Sequence, residues 1–191
     1  MKIKSTSGTR IAASRLEQLI PEDRIAQAVR KLARQIDRYS RRNGLPELTV
    51  VCVMDGAFVF CADLVRQMKT PTAILFVKAS SYTGTQRAAT NLARLPEAIQ
   101  GRPVLVVDTI FDTGKTISKV LRQVRKRTSR IALAILLAKH GKADLAAHSN
   151  GIDTFVGVKL KGDPFLVGYG LDCGGQFRHL RDIRRIAADR D

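Results

Sequence analysis

Tryptophan is absent from this chain, aromatic residues make up only 5% of it, and 17 acids face 33 Lys and Arg. With so few aromatics, none interleaved with the basic clusters, the pattern argues against a platform that stacks unpaired bases. The three cysteines, Cys52, Cys61 and Cys173, are odd in number and lack metal-ligand spacing. Cys52 and Cys61 lie in apolar segments and read as reduced core thiols. No apolar run approaches the ~20 residues that span a bilayer. The opening residues, Met1 to Gly8, carry no apolar core behind their basic positions, so they do not read as a signal peptide. Together these absences imply a cytoplasmic protein with no membrane partner.

What is present suits one domain, 1–191, with a sizeable core: 191 residues, of which 45% are hydrophobic. The formal charge of +16 is high for a chain of this size. It fits anionic substrates, an adaptation to the surrounding proteome, or nucleic acid bound only weakly and electrostatically. Basic residues are densest in 122–130 and 178–190, both read as solvated helix faces.

Pro21, with Glu22 and Asp23 behind it, opens a helix. Ile25, Val29, Leu32, Ile36 and Tyr39 give it one apolar stripe, and Asn43-Gly44 closes it. Leu48–Met54 is a continuous apolar run that reads as a buried strand, with a turn at Asp55-Gly56 and a helix over 57–68. Strands follow at 72–77, 104–107, 131–138, 154–158 and 164–169, with a helix over 116–127. The polar stretch 80–95 reads as a long loop of the kind that forms lids. Alternating strands and helices imply an α/β fold with a mostly parallel sheet flanked by helices. Ligands of such sheets sit at the carboxyl ends of the strands. Asp55-Gly56, the segment Asp108 to Thr116, and Lys139 all follow strands.

The most informative segment is Val104-Leu105-Val106-Val107-Asp108-Thr109-Ile110-Phe111-Asp112-Thr113-Gly114-Lys115-Thr116. An apolar strand runs into a turn rich in Asp, Thr and Gly, and a helix then begins. That places hydroxyls and backbone amides at a helix N-terminus, a natural phosphate cradle. Two acids flank it. A nucleotide P-loop is the rival, but its first glycine would fall on Thr109. An ordinary strand–turn–helix shares the same composition.

In order along the chain, five pieces resemble the hypoxanthine-guanine type of purine phosphoribosyltransferase. They are Val51 to Phe58, Ser80-Ser81-Tyr82 with Gly84-Thr85, Asp108 to Thr116, Leu136 to Lys139, and Phe165 to Asp172 ending in Phe177-Arg178. The resemblance implies a type I phosphoribosyltransferase fold. Its small hood would come from the N-terminal helix and C-terminal tail around a core of about 46–180. It further implies transfer of a 5-phosphoribosyl group from PRPP to hypoxanthine or guanine with release of pyrophosphate, Mg²⁺ as cofactor, and a homodimer or homotetramer.

Carried over residue by residue, the resemblance makes Asp112 the candidate base beside the purine. Asp112, Thr113, Gly114, Lys115 and Thr116 become the 5′-phosphate loop, with Asp108 and Thr109 the ribose-contacting pair. Asp55, Gly56 and Arg178 match the pyrophosphate-binding positions, while Ser81 and Tyr82 match the tip of the lid. Lys139 matches the lysine on the six-position oxygen, Phe165 the stacking ring, Leu166 the reader of the base edge, and Asp172 the Mg²⁺ ligand.

Three departures stand out. Where the family carries two adjacent acids, this chain has Asp108-Thr109, which implies weakened PRPP affinity that Thr109→Asp would restore. Asp55 stands where a lysine is usual. The lid segment 83–95 is rearranged, and the chain after Leu180 becomes arginine-rich. The alternatives are a homologue that binds nucleotide without turnover, and a regulator that uses the fold to bind RNA.

Overall fold

The computed structural model describes residues 15–80, 91–92, 95–139 and 142–187. Ser81 and Tyr82 lie outside them. The main sheet is built from β2 (Leu48–Met54), β3 (Thr72–Ser80), β5 (Val104–Phe111), β6 (Ile131–Ala138) and β7 (Asp153–Lys159). All five run parallel in the order β3-β2-β5-β6-β7, and the two-residue β4 (Asn91–Leu92) joins antiparallel at the β3 edge. Central strands buried on both faces must be apolar at every position, and β2, β5 and β6 are nearly so.

Their alternate residues feed two separate cores. Val50, Cys52, Leu105, Val107, Ala132 and Ala134 pack beneath α1 (Glu22–Arg42) and α2 (Phe58–Gln67). Val51, Val53, Val104, Val106, Leu133 and Ile135 pack beneath α3 (Lys115–Arg125). α4 (Lys142–Ser149) lies beside α3. The expected start and stop of α1 are met: Pro21 stands at its N-cap, and Asn43 donates to the Tyr39 carbonyl from its side-chain Nδ2 at 2.8 Å and from its backbone amide at 3.0 Å. Asp37 is the one buried acid of α1. Its carboxylate accepts from the Lys69 amide and from both the amide and the hydroxyl of Thr70, tying α1 to the end of α2.

Because β3 and β5 leave β2 on opposite sides, the strand order reverses between β2 and β5. Parallel sheets open a crevice at the carboxyl ends of such a pair. A second sheet of three antiparallel strands comprises β1 (Leu16–Ile20), β8 (Leu166–Val167) and β9 (Ile183–Ile186), in the order β1-β9-β8.

Several expectations change. β5 continues through Asp108 to Phe111, because Asp108, Ile110 and Phe111 still pair with β6; the turn begins at Asp112. The arginine-rich 178–190 run is not a solvated helix face. It contains β9, the central strand of the small sheet, with Ile183 fully buried and Arg184 and Arg185 paired to Asp182 and Glu17. The N-terminal contribution to that sheet is β1, whereas α1 packs on α2, β6 and β7. The strand expected over 164–169 shrinks to β8, since positive φ at Gly168, Tyr169 and Gly170 bends the chain away.

Candidate active site

At the end of β2 the Met54–Asp55 peptide is cis; Asp55 is exposed and Gly56 half-buried. The Gly56 carbonyl accepts from the Thr109 hydroxyl at 2.9 Å. Gly170 approaches the same oxygen from the other side, with φ +93°, and a Cβ there would stand 2.5 Å from it. Only glycine fits that approach.

Beside this junction, Asp108 is buried at the end of β5 and accepts from the Thr109 amide at 2.7 Å. Burial pushes its carboxyl up to about 7, although the Thr109 and Ile110 amides favour the charged form. Thr109 is 0% exposed, with its hydroxyl committed to Gly56. This changes the expectation for its substitution. An aspartate there would bury a charge and set a carboxylate oxygen against a carbonyl oxygen, so Thr109→Asp costs folding before it can serve ribose.

Asp112, Thr113 and Gly114 make the turn into α3. Gly114 is the N-cap at φ +71°, and its carbonyl accepts from the Ser118 amide at 2.8 Å. Behind it lies His148 of α4, whose ring a Cβ on Gly114 would strike and which meets Phe111 edge-on at 5.4 Å. Thr113 and Lys115 are exposed and Thr116 is half-buried. The opening amides of a helix have no partner within it, so this turn can present them to an anion.

Lys139 follows β6, and its amide donates to the Phe111 carbonyl at 3.0 Å. Its side chain is 9% exposed, and Nζ lies 2.7 Å from Asp163 Oδ1 and 3.4 Å from Asp112 Oδ1. The structure thus brings Asp112 and Lys139 together and adds Asp163, which the sequence reading missed. Its signal was an acid immediately before Pro164-Phe165, behind the Lys161-Gly162 turn.

Across the crevice, Phe165 is 43% exposed and Leu166 is buried in β8. Asp172 accepts from the Gly175 amide at 2.7 Å and from Arg178 Nη2 at 2.8 Å. Arg178 Nη1 donates to the Gly170 carbonyl at 2.6 Å. Tyr169, also missed, donates its hydroxyl to Asp63 of α2 at 2.6 Å; burial and that carboxylate raise its pKa. The site residues therefore fall into two side-chain clusters, Asp112–Lys139–Asp163 and Asp172–Arg178, and the Thr109–Gly56–Gly170 contact joins their supports.

Among the described residues no three His, Cys, Asp or Glu gather as a metal cage. Asp172 alone fits a different arrangement. A single, partly exposed carboxylate suits Mg²⁺, which keeps its waters and takes further oxygens from substrate phosphates.

A switch-point crevice with a helix-N-terminal phosphate cradle and flanking acids defines a class of α/β proteins that handle phosphorylated substrates. The model of the phosphoribosyl transferase domain matches residues 16–154. A hypoxanthine phosphoribosyltransferase of Salmonella typhimurium is 34% identical over 175 residues, covering 90% of this chain and 95% of the relative. A hypoxanthine-guanine phosphoribosyltransferase of Aquifex aeolicus is 30% identical over 92% of this chain and 97% of its own. Among solved structures, the hypoxanthine-guanine phosphoribosyltransferase of L. donovani superposes with a TM-score of 0.74 at 27% identity, over 89% of this chain and 99% of that one. One from Bacillus anthracis gives 0.72 at 28%, over 94% and 100%. The chain belongs to the phosphoribosyl transferase family, with the hypoxanthine and hypoxanthine-guanine enzymes as its relatives.

Proposed function

We propose that this protein is a purine-salvage enzyme that transfers the 5-phosphoribosyl group of PRPP to N9 of hypoxanthine or guanine, releasing pyrophosphate. The observation that carries the reading is Lys139, a nearly buried ammonium fixed between Asp112 and Asp163 beside the phosphate-cradle turn. An ammonium only donates, so it matches the six-position oxygen of hypoxanthine or guanine and rejects the six-amino group of adenine. The turn from Asp112 to Thr116 holds the 5′-phosphate, and Asp108 contacts the ribose. As the bond from C1′ to pyrophosphate breaks and N9 attacks, Asp112 takes the proton the purine gives up. Phe165 stacks on the base, while the Leu166 backbone reads its edge.

Gly56 and Arg178 bind the departing pyrophosphate, with Asp55 at the same turn. Asp172 would hold Mg²⁺, which when bound would supply charge neutralisation for the diphosphate. The reading implies a cytoplasmic enzyme, assembled as a homodimer or homotetramer. Retention of the donors and acids around the crevice supports activity over a nucleotide-binding relic.

Purified protein with PRPP and Mg²⁺ is expected to form nucleotide from hypoxanthine or guanine and none from adenine. Omitting Mg²⁺ abolishes the product. No product with hypoxanthine, guanine or xanthine overturns the reading. Lys139→Gln is expected to raise KM for the base about 10–100-fold, the worth of a hydrogen bond to a charged group, with little change in KM for PRPP.

A further inference from the structure

Every side chain that α1 exposes between Arg24 and Arg42 is Lys or Arg, except Gln27. At 100° and 1.5 Å per residue these seven cations fall within roughly a third of the helix circumference, along a row of about 27 Å. Among the described residues, none of them has a carboxylate partner. The helix's buried acid, Asp37, is spent on Lys69 and Thr70. A solvated helix ordinarily mixes signs so that i,i+4 pairs support it. Beyond its acidic first turn, Glu22 and Asp23, this one carries like charge from Arg24 to Arg42 instead.

We propose that the exposed face of α1 binds the sugar-phosphate backbone of duplex nucleic acid, apart from the crevice chemistry. Past the acidic first turn of Glu22 and Asp23, a row of cations with no acid exposed among them complements a row of phosphates. Three alternatives fit less well. Unpaired strands need exposed rings on which to stack, and the one aromatic of α1, Tyr39, is half-buried edge-on to Phe155 at 5.7 Å. A helix that lies on a membrane needs a free apolar face, whereas Ile25, Val29, Leu32 and Ile36 are buried in the core. A second copy of this chain would bring the same row of charge against itself.

The test is fluorescence anisotropy of the full-length protein with labelled 20-base-pair RNA and DNA duplexes, the matching single strands, and anionic lipid vesicles, over a salt series. If all seven cations engage, the slope of log K against log salt for duplex is about −6. The variant Arg30→Gln/Lys31→Gln/Arg34→Gln/Arg38→Gln flattens that slope to about −3 and weakens binding at least about tenfold, while nucleotide synthesis is unchanged. A matched variant neutralising Arg66, Arg122, Lys126 and Lys161 leaves most of the affinity in place. RNA and DNA duplexes binding alike fits backbone recognition, and so does a preference for either one. The proposal is overturned if the wild-type chain ignores duplex at 0.1 M salt, if both quadruple variants lose affinity equally, or if single strands or vesicles bind more tightly than duplex.

Discussion

The two sides of the crevice are built differently. On the sheet side, Asp108, Thr109 and Lys139 sit at the ends of parallel strands buried on both faces, and the carboxylate, the hydroxyl and the ammonium each already have a protein partner. On the side of the small sheet, Phe165, Asp172 and Arg178 hang from short strands and glycine turns, and the Asp172–Arg178 pair is partly open to water. An exposed ion pair is worth little, so a phosphate or a cation can take either partner at small cost. The sheet side is set before substrate arrives, whereas the other side exchanges internal bonds for substrate bonds.

The contrast fails first where the sides meet. Gly170→Ala adds a methyl group 2.5 Å from the Gly56 carbonyl at φ +93°, moving the small-sheet side against the sheet side. We expect at least about a thousandfold loss of kcat/KM, roughly 4 kcal/mol at 1.36 kcal/mol per decade. Gly174→Ala, at φ +60° with nothing within 4 Å of its Cβ, costs only the backbone term of about 1–2 kcal/mol in stability. Steady-state kinetics and urea unfolding of both variants check this; equal kinetic effects would mean that no such junction exists.

Next in size is the titration of Asp108. Burial lifts its carboxyl from 3.8 to about 7, so between those values the folded chain keeps a proton that the unfolded chain has released. The stability this supplies is complete below about pH 4 and is lost as pH climbs through 7. A shift of that size corresponds to at most about 4 kcal/mol. Asp108→Asn is therefore expected to flatten the decline in unfolding free energy between pH 5 and 8, and to be relatively most stabilising at the alkaline end. A parallel decline in both proteins would place the buried proton elsewhere.

These differences also explain what the sequence made legible. β2 and β6 emerge with the right ends because strands buried on both faces must be apolar throughout. β5 was cut short at Val107 because Asp108 and Thr109 look like turn residues, although pairing with β6 and the bond to Gly56 hold them in the strand. β1 and β9 escaped notice for another reason. They pair across 163 to 170 positions of sequence, as Leu16 with Ile186 and Glu17 with Arg185, and in a stretch dense with arginine only Ile183 and Ile186 carry an apolar signal. Of the site, the residues borne by the sheet strands and their turns were visible in local pattern. Asp163 and Tyr169 were not, since their roles depend on partners at Lys139 and Asp63.

Thr109 tests whether the sheet side is as fixed as this picture requires. With its hydroxyl on the Gly56 carbonyl and no exposure, Thr109→Asp is expected to lower stability by about 3 kcal/mol and to leave KM for PRPP no better than in the wild type. Urea unfolding and PRPP titrations decide it. An improved KM would mean that the side chain swings to the rim, and that this part of the sheet side is adaptable after all.

The smallest effect should come from the opposite side. Asp172→Asn keeps an acceptor for the Gly175 amide and loses only a partly exposed ion pair with Arg178, so its unfolding free energy should change by less than about 1 kcal/mol. Catalysis should respond out of proportion, with KM for PRPP rising at least about tenfold at limiting Mg²⁺ and less at saturating Mg²⁺, because a neutral amide is a poorer ligand for a hard cation. That split between stability and KM separates a side chain held in reserve for substrate from one that holds the fold together. A loss of stability comparable to that of Thr109→Asp would erase the distinction, since Asp172 would then be structural in the same sense as Thr109.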